Sequence, residues 1–415
     1  MQTNNWNWLK LIAIGRILSC LTFFIYVGSI QQLIAIWDLS ATEAGLIQTS
    51  LVIGFAVALF ISSYCSDFYN PNKILSIYLI INFLSSFIFY LIAKDFWTAI
   101  FINFFIGFAQ GGIYGPSILL VSEKFKSKNK GAAMGVMLGS QSFGYAISLS
   151  LGYIITTNYG YKISFLTASL ISLIGAVFLL TAVYEDFLKK YKFSEQNKKF
   201  SLNQNRKTKF LITGYTAHAI ELFGLWSWLP VFLSVIIINK ISIATVSVGI
   251  IIGFSIHLSG VFSSVIAGYL SDNLGRKRIL IAFSLFSAIL SFLIGWTAEL
   301  DLFLIILISF FYSFFAIGDS GVLTAALTET TPKYCVGRTV AYRSILGVGF
   351  GSITPAIFGF IIDIANNHQP INSETNWVFA FSFLGVAGLI ATFCASQFKS
   401  KKKLINSFKN MTKNS

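Results

Sequence analysis

The sequence predicts an all-α membrane protein in which twelve transmembrane helices form two pseudo-symmetric bundles of six. Three observations support this prediction. Charged residues are only 11% of the 415 residues, and the mean hydropathy is +0.73. The chain divides into twelve long apolar runs, and a polar motif between two of these runs occurs twice. A soluble domain carries about a quarter charged residues, so the composition excludes a soluble multidomain protein.

Each apolar run is long enough to cross a bilayer as a helix, which takes about 20 residues. The runs cover 9–36, 44–65, 74–93, 97–121, 132–156, 163–184, 210–238, 243–267, 279–297, 302–328, 340–364 and 377–397. They lack the period-two alternation of a membrane β-strand. The predicted parts are an N-terminal bundle (1–184), a cytoplasmic linker (185–209), a C-terminal bundle (210–397) and a basic tail (398–415).

The basic residues predict the orientation of the chain. With the N-terminus inside, 26 of the 30 Lys and Arg residues fall in inside segments and three in outside segments. Cytoplasmic loops collect positive charge, so we expect both termini in the cytoplasm. The net charge of +14 therefore indicates membrane orientation rather than nucleic-acid binding. The basic linker is expected to be solvated, or to lie as a short amphipathic helix on the anionic lipid surface.

A polar motif at Gly268–Leu280 has a weaker copy at Ser63–Leu75, 205 positions earlier. The aligned residues include Asp67 with Asp272 and Lys73 with Arg278, and at an offset of 206 Glu123 with Glu329. Repeats at about half the chain length indicate two homologous halves.

The motif resembles the loop motif G-x-L-x-D-x-x-G-R-K/R-x-x-L of the major facilitator superfamily of secondary transporters. The first copy departs from it, because Asn70-Pro71-Asn72 replaces the Gly-Arg-Lys core. The resemblance implies two bundles related by an axis along the membrane normal, alternating access, a bacterial inner membrane and a monomer. It also implies a cytoplasmic latch that closes in the outward-open state. The expected gating residues are Asp67, Lys73, Glu123, Gly268, Asp272, Gly275, Arg276, Arg278, Glu329 and Arg343.

Ionisable residues inside the apolar runs are the candidates for solute and proton binding, because they are costly in lipid. Arg16 and Glu221 correspond under the 205 offset and are expected to face one central cavity. His218 lies three residues before Glu221, on the same helix face. We expect Arg16 to hold an anionic group of the solute.

Proton coupling is expected to use Glu221, with His218, His257 or Asp319 as helpers, because His titrates near neutral pH. Arg343 is the expected partner of Asp319. Buried structural pairing is the alternative interpretation for these residues.

Aromatic and polar residues of two other runs are candidates for lining the cavity. Trp226 and Trp228 lie near Pro230 in the seventh run, and Gln110 and Tyr114 lie beside glycines in the fourth. Broken helices at the membrane midplane are common in transporters. Packing inside the bundles is the alternative for all four.

The predicted function is proton-coupled transport, preferentially uptake, of a small and possibly anionic organic solute. The chain lacks a G-x-x-x-x-G-K-[ST] loop, and its scattered cysteines predict no metal or disulfide framework, so we expect no cofactor and no enzyme activity. Two alternatives stay open: proton-driven efflux of amphipathic drugs or toxic metabolites, and a solute sensor without turnover. The fifth run lacks the Gly-Pro signature of drug antiporters, which disfavours efflux.

Overall fold

A computed structural model describes residues 5–66, 68–125, 130–187, 206–330 and 336–397. The N-terminal half contains α1 (Asn5–Ser19), α2 (Ile25–Trp37), α3 (Ala41–Cys65), α4 (Pro71–Ile92), α5 (Phe96–Lys124), α6 (Lys130–Tyr159) and α7 (Tyr161–Phe187). The C-terminal half contains α8 (Arg206–Lys240), α9 (Thr245–Gly253), α10 (Ser259–Leu274), α11 (Arg276–Ile294), α12 (Leu302–Thr330), α13 (Val336–Gly351), α14 (Thr354–Ala365) and α15 (Val378–Gln397). Asp67, most of the predicted linker and the predicted tail lie outside the described residues.

Eleven helical segments in the described part of the chain are long and apolar enough to cross a membrane. The predicted fifth run corresponds to α6, which is not one of the eleven. Its middle carries small and polar residues, among them Gly139, Ser140, Gln141 and Ser142. Because α6 packs against α1, α2, α7 and α9, these residues face protein on several sides.

Helix starts follow from capping residues at the polar ends of the spans. The Ser40 hydroxyl accepts from the backbone N–H of Glu43, and the Glu43 side chain returns a bond to Ser40, which together start α3. Asn70 caps α4, with Pro71 at its first position. Hydrogen bonds from Thr98 hold the pKa of Asp95, the cap of α5, below its usual range.

The first span is interrupted between α1 and α2, where residues Cys20–Thr22 form a 3₁₀ turn. The freed carbonyl of Ser19 accepts hydrogen bonds from Gln110 and from Asn82. The backbone N–H of Phe24 donates to the Ser148 hydroxyl at 3.0 Å. These side chains satisfy the backbone groups that the break leaves without helical partners, which a buried break requires.

Two spans of the C-terminal half are also irregular. The eighth span passes from α9 to α10 through a π-helical turn, Phe254–Leu258. The eleventh is broken between α13 and α14, where Pro355 follows Thr354 at the start of the new helix. Proline removes a backbone donor and breaks a helix interior. The first-half helices α1 to α7 contain no matching π turn among their described residues.

The two halves touch mainly on one face. We call the face that carries Asn5 and Gln397 the terminal side and the opposite face, with residues 37–41 and 366–377, the far side. On the far side α3 packs against α14, α6 against α9, and α2 against α8. Asp363 at the end of α14 accepts hydrogen bonds from the backbone N–H groups of Ala41 and Thr42 at 3.0 and 2.8 Å. The halves are therefore closed together on the far side.

Candidate substrate site

Arg16 lies in the last turn of α1 and has 0% of its surface exposed. Its Nη2 donates a hydrogen bond to Oε1 of Gln141 on α6 at 2.8 Å. Among the described residues, its Nε and Nη1 have no hydrogen-bond partner, and no Asp or Glu lies within ion-pair distance. Because a buried charge without a counter-charge is strongly unfavourable, this environment favours an anionic ligand.

Arg343 on α13 is a second buried guanidinium, from the other half. Its guanidinium carbon lies 4.3 Å from the ring centroid of Tyr215 on α8, which is a cation–π contact. Its Nη1 donates to the hydroxyl of Thr324 on α12 at 2.6 Å, while its Nε has no partner in the described chain. Arg343 is therefore fixed by uncharged groups.

Tyr114 is a predicted cavity residue on α5. It is partly buried and within electrostatic range of both Arg16 and Arg343, as well as of Tyr215. Two of the predicted cavity residues, Arg16 and Tyr114, are thus within electrostatic range of each other. From the C-terminal half, Arg343 rather than Glu221 lies within electrostatic range of Tyr114.

A cluster of four rings adjoins Arg16, and we call Phe24, Tyr145, Trp226 and His257 the aromatic cluster. The His257 ring centroid lies 4.5 Å from Phe24, 5.7 Å from Tyr145 and 5.6 Å from Trp226. Nε1 of Trp226 and Nε2 of His257 are buried without partners in the described chain. His257 stands on the π-helical turn, a feature that often marks functional positions. The aromatic cluster therefore brings together rings from both halves, and these two nitrogens remain available to bind a ligand.

His218 and Asp319 form a buried pair between α8 and α12. Nδ1 of His218 lies 2.9 Å from Oδ1 of Asp319, and Nε2 lies 2.6 Å from the Ser320 hydroxyl. The short distance to Asp319 lacks hydrogen-bond alignment, so Oδ1 of Asp319 has no hydrogen bond. The expected pair of Asp319 with Arg343 is not formed, because His218 occupies that position.

Glu221 faces the interior of the C-terminal half. Its Oε1 accepts a hydrogen bond from Ser287 on α11 at 2.5 Å. Its Oε2 lies against α15, since a Cβ built at Gly388 would be 3.0 Å away. The expectation that Glu221 shares one cavity with Arg16 is therefore not met, because this face of α8 packs on α11 and α15. Glu221 remains within electrostatic range of Asp319.

Two other predicted cavity residues are engaged in packing. Gln110 donates through Nε2 to Ser19, Thr22 and Asn82, so it supports the break of the first span. Trp228 is fully buried. Its Nε1 donates to the carbonyl of Pro355 at 2.9 Å, and its ring stacks on Phe358 at 5.5 Å. Trp228 thus supports the break of the eleventh span instead of lining a cavity.

The second copy of the motif forms a surface ion-pair network on the terminal side. Nη2 of Arg276 lies 2.7 Å from Asp272 and 3.0 Å from Glu329. Gly275 adopts φ +95°, a backbone region that favours glycine. Arg278 is exposed at the start of α11. Two of the expected gating residues, Arg276 and Glu329, are therefore paired, and their gating role stays a prediction.

For the remaining predicted gating residues, the structure gives positions that leave the predicted latch untested. Lys73 lies in the first turn of α4 and Glu123 at the end of α5. A Cβ built at Gly268 would meet no atom within 4 Å, so this arrangement leaves space beside α10. Asp67 lies outside the described residues.

Several residues of the site have no counterpart in the sequence-based prediction. Gln141 and Tyr145 lie four residues apart on α6, and Nε2 of Gln141 donates to the Tyr145 hydroxyl at 2.7 Å. Their spacing on one helix face within an apolar run is a usable signal. Tyr215 carries no such signal, because an aromatic residue in an apolar run is indistinguishable from packing. Asp363 ends an apolar run and resembles an ordinary loop charge.

Comparison with known proteins places this geometry in a family. The sequence model of the Major Facilitator Superfamily matches residues 12–262 and 240–407. The chain is 25% identical over 347 residues to a hexuronate transporter of Bacillus subtilis (strain 168), which covers 78% of this chain and 80% of the relative. It is 21% identical over 362 residues to a phosphoglycerate transporter protein of Salmonella typhimurium, covering 79% and 76%. A shorter match, 30% identical over 132 residues, covers 31% of this chain and 30% of a citrate-proton symporter of Salmonella typhi.

Solved structures share the fold at low sequence identity. The E. coli xylose transporter in an inward-open conformation superposes with a TM-score of 0.74 at 14% identity, covering 98% of this chain and 100% of that one. A bacterial homologue of the human lysosomal transporter Spinster, inward-facing and unoccupied, gives 0.72 at 13% identity, covering 96% and 98%. The predicted twelve-span fold of two bundles is confirmed. The chain belongs to the major facilitator superfamily, and it is an integral membrane transporter of organic solutes rather than an enzyme.

Proposed function

We propose that the chain carries a small organic anion across the membrane and that Arg16 binds the anionic group. The observation that carries this proposal is the fully buried guanidinium with two nitrogens lacking partners and no described carboxylate nearby. Guanidinium groups bind carboxylate and phosphate through paired, charge-assisted hydrogen bonds. The neighbouring Trp226 and His257 add buried polar nitrogens without partners.

The names of the relatives support an acidic solute. Hexuronate, citrate and phosphoglycerate each carry at least one acidic group, and the first and third of these relatives align with more than three quarters of the chain. A buried arginine at the site gives a physical reason for a preference for solutes that carry an acidic group. The aromatic cluster would contact the carbon skeleton of such a solute.

Proton symport is the proposed energy source, through His218, Asp319 and Glu221. These titratable groups lie together in the C-terminal half, within electrostatic range of one another or in direct contact. The Tyr215 ring contacts both parts, since its centroid lies 5.8 Å from His218 and 4.3 Å from the Arg343 guanidinium. A proton bound at His218 and Asp319 can therefore influence the solute site through Tyr215. The citrate-proton symporter relative supports the same coupling ion.

The proposed direction is uptake through a bacterial inner membrane with both termini in the cytoplasm. In that orientation the far side is external, and its closure corresponds to a carrier open toward the cytoplasm. The excess of Lys and Arg in the inside segments supports this orientation.

Uptake into proteoliposomes tests the proposal. We expect the wild-type protein to accumulate labelled glucuronate, citrate or 3-phosphoglycerate when the lumen is made alkaline. Arg16→Gln should lower the uptake rate by about a hundredfold, because a charge-assisted bond contributes up to about 3 kcal/mol. Arg16→Lys should retain part of the rate. Lys94→Gln removes an exposed far-side charge and serves as the control. Unchanged uptake by Arg16→Gln would refute the proposed role.

A further inference from the structure

The break in the first span places three oxygen atoms close together inside the N-terminal half. In a continuous helix the N–H of Phe23 would donate to the carbonyl of Ser19, but here it donates to that of Cys20 at 3.1 Å. The freed Ser19 carbonyl lies beside the hydroxyl of Thr22 and Oδ1 of Asn82 on α4, and these two side-chain oxygens are 2.7 Å apart. We call these three atoms the oxygen cluster. The residues that supply it are at most 1% exposed, and it lies at the negative end of the α1 dipole.

The amide of Gln110 on α5 contacts every atom of the oxygen cluster. Its Nε2 lies 2.5 Å from the Ser19 carbonyl, 2.8 Å from the Thr22 hydroxyl and 3.0 Å from Oδ1 of Asn82. An amide NH2 has two hydrogens, so two donors serve three acceptors. Oε1 of the same amide is buried without a partner in the described part of the chain. The amide therefore leaves this position short of positive charge and leaves its own oxygen unused.

The chemistry of the oxygen cluster favours a sodium ion. If the Gln110 amide turns about its last bond, Oε1 replaces Nε2 at the cluster and four uncharged oxygens face one point. Carbonyls freed at helix breaks, and the C-terminal ends of half-helices, coordinate Na⁺ in transporters. Divalent cations prefer sites with carboxylates, and the four residues make no hydrogen bond to a carboxylate within the described chain. The 2.7 Å between two of the oxygens favours Na⁺ over the larger K⁺.

Arg16 lies one helical turn before Ser19, about 4.5 Å along the axis. The hydroxyl of Ser19 donates to the carbonyl of Arg16 at 3.3 Å. The positive charge of Arg16 opposes a cation at the oxygen cluster, which is a further reason for a single rather than a double charge. An acidic solute on Arg16 would offset this repulsion. Solute and Na⁺ would then each raise the affinity for the other by the same factor.

We propose that the oxygen cluster and Gln110 form a sodium site, and that bound Na⁺ strengthens binding of the solute. The site itself follows from contacts within the N-terminal half alone. Its coupling to the solute rests on the proposed function, because the coupling assumes that Arg16 binds an acidic group. Sodium would then be a second coupling ion beside the proton, and the broken first span would carry both the ion site and the anion site.

Sodium titration of the purified full-length protein, without solute, tests the site. At constant ionic strength maintained with choline chloride, calorimetry should show saturable binding of Na⁺ and at least tenfold weaker binding of K⁺. Thr22→Val removes one ligand oxygen and keeps the shape of the side chain, so it should weaken Na⁺ binding at least tenfold. Thr181→Val is the matched control, because Thr181 is exposed and its hydroxyl donates to a carbonyl of its own helix, α7.

A second variant predicts a gain, which a folding defect cannot produce. Gln110→Glu adds a negative charge without changing the length of the side chain, so at alkaline pH it should tighten Na⁺ binding tenfold or more. Melting temperatures check that each variant is folded. The inference would be overturned by a wild-type protein without saturable Na⁺ binding, or by the same Na⁺ affinity in the wild type, Thr22→Val and Gln110→Glu.

Repeating the titration with saturating D-glucuronate, citrate or 3-phosphoglycerate separates this inference from the proposed function. At least one of these acids should raise the Na⁺ affinity of the wild type tenfold. Arg16→Gln should keep the sodium site and lose that increase. Na⁺ binding that none of the acids changes would overturn the coupling. Uptake that requires Arg16 in a protein that does not bind Na⁺ would leave the proposed function standing and overturn the sodium site.

Discussion

The proposed solute chemistry depends on a single arginine, Arg16. Within the described part of the chain, Arg16 has uncharged neighbours and donates a hydrogen bond to the amide oxygen of Gln141. In a low-dielectric interior such a group is far more stable with a bound anion than without one. The same physics explains why the sequence alone indicates Arg16, because an arginine within an apolar run needs a polar environment.

At the residue scale, the two tryptophans of the seventh span have different expected roles. Trp226 is expected to bind solute, and Trp228 is expected to pack inside the protein. Trp228→Phe deletes the donor to Pro355 in a buried position, so it should lower stability by about 1–3 kcal/mol and leave solute affinity unchanged. Trp226→Phe removes a nitrogen that has no partner in the part of the chain that the structure describes, so it should lower affinity severalfold and leave stability nearly constant. Thermal unfolding and binding, measured on both variants, check this contrast. Equal affinity losses in the two would contradict it.

The buried acid–histidine pair gives a second prediction at the residue scale. Asp319→Asn keeps a similar shape beside His218 but cannot exchange a proton. We expect accumulation driven by a pH gradient to fall at least tenfold, while exchange without a gradient continues. Glu221→Gln, buried on Ser287, is the matched variant and tests whether Glu221 takes part. Full gradient-driven accumulation by Asp319→Asn would exclude Asp319 from coupling.

Helices could be predicted from the sequence, but the direction of each helix face could not. Apolar runs of about 20 residues specify a span. In lipid, however, both the packed and the exposed faces of a helix are apolar, so periodicity does not reveal which side meets protein. This is why Glu221 was expected in the central cavity, although Ser287 on α11 binds it. Only the tertiary contacts of α8 show which way the Glu221 side chain faces.

Breaks within spans also escape prediction, because distant side chains stabilise them. The break after Ser19 depends on Asn82, Gln110 and Ser148, which lie 63, 91 and more than 120 residues further along the chain. Pro355 is the exception, since its effect on the backbone is local. Transport motions are expected to use these irregular segments.

At the scale of elements, Asp363 joins α14 of one half to the start of α3 in the other. Its carboxylate accepts hydrogen bonds from the first N–H groups of α3, at the positive end of that helix's dipole. Asp363→Ala should weaken far-side closure by about 0.5–2 kcal/mol, the usual effect of losing a cap. Pulsed electron paramagnetic resonance between labels at Lys162 and Gln369 should then show longer distances.

The matched variant Asp363→Asn keeps one acceptor oxygen, replaces the other with an NH2 donor and loses the charge. It should open the far side less than Asp363→Ala does. Distances unchanged in both variants would show that Asp363 does not hold the halves together.

At the scale of the whole molecule, glycines mark where the halves meet and where they separate. On the far side, a Cβ at Gly45 would collide with the carbonyl oxygen of Pro355, and one at Gly359 with that of Ala41. On the terminal side, a Cβ at Gly135 or Gly268 would meet no atom within 4 Å. Tight glycines on the closed side and open glycines on the other suggest that the second set packs when the halves rock.

Large residues at these glycines should trap opposite states. Gly45→Leu should prevent far-side closure, whereas Gly268→Leu should be accommodated here and prevent closure of the terminal side. Both variants should lose at least nine tenths of transport while shifting the Lys162–Gln369 label distance in opposite directions. Shifts in the same direction would contradict this account of the motion.

The most direct test of the central claim is counterflow in proteoliposomes loaded with unlabelled organic acid, without any ion gradient. This measurement requires a two-sided carrier and does not depend on proton coupling. We expect the wild-type protein to concentrate the labelled acid transiently, Arg16→Gln to give a flat trace, and a neutral sugar such as xylose to give no exchange. Binding without exchange would indicate a sensor, and undiminished exchange by Arg16→Gln would contradict an anion carrier built on this arginine.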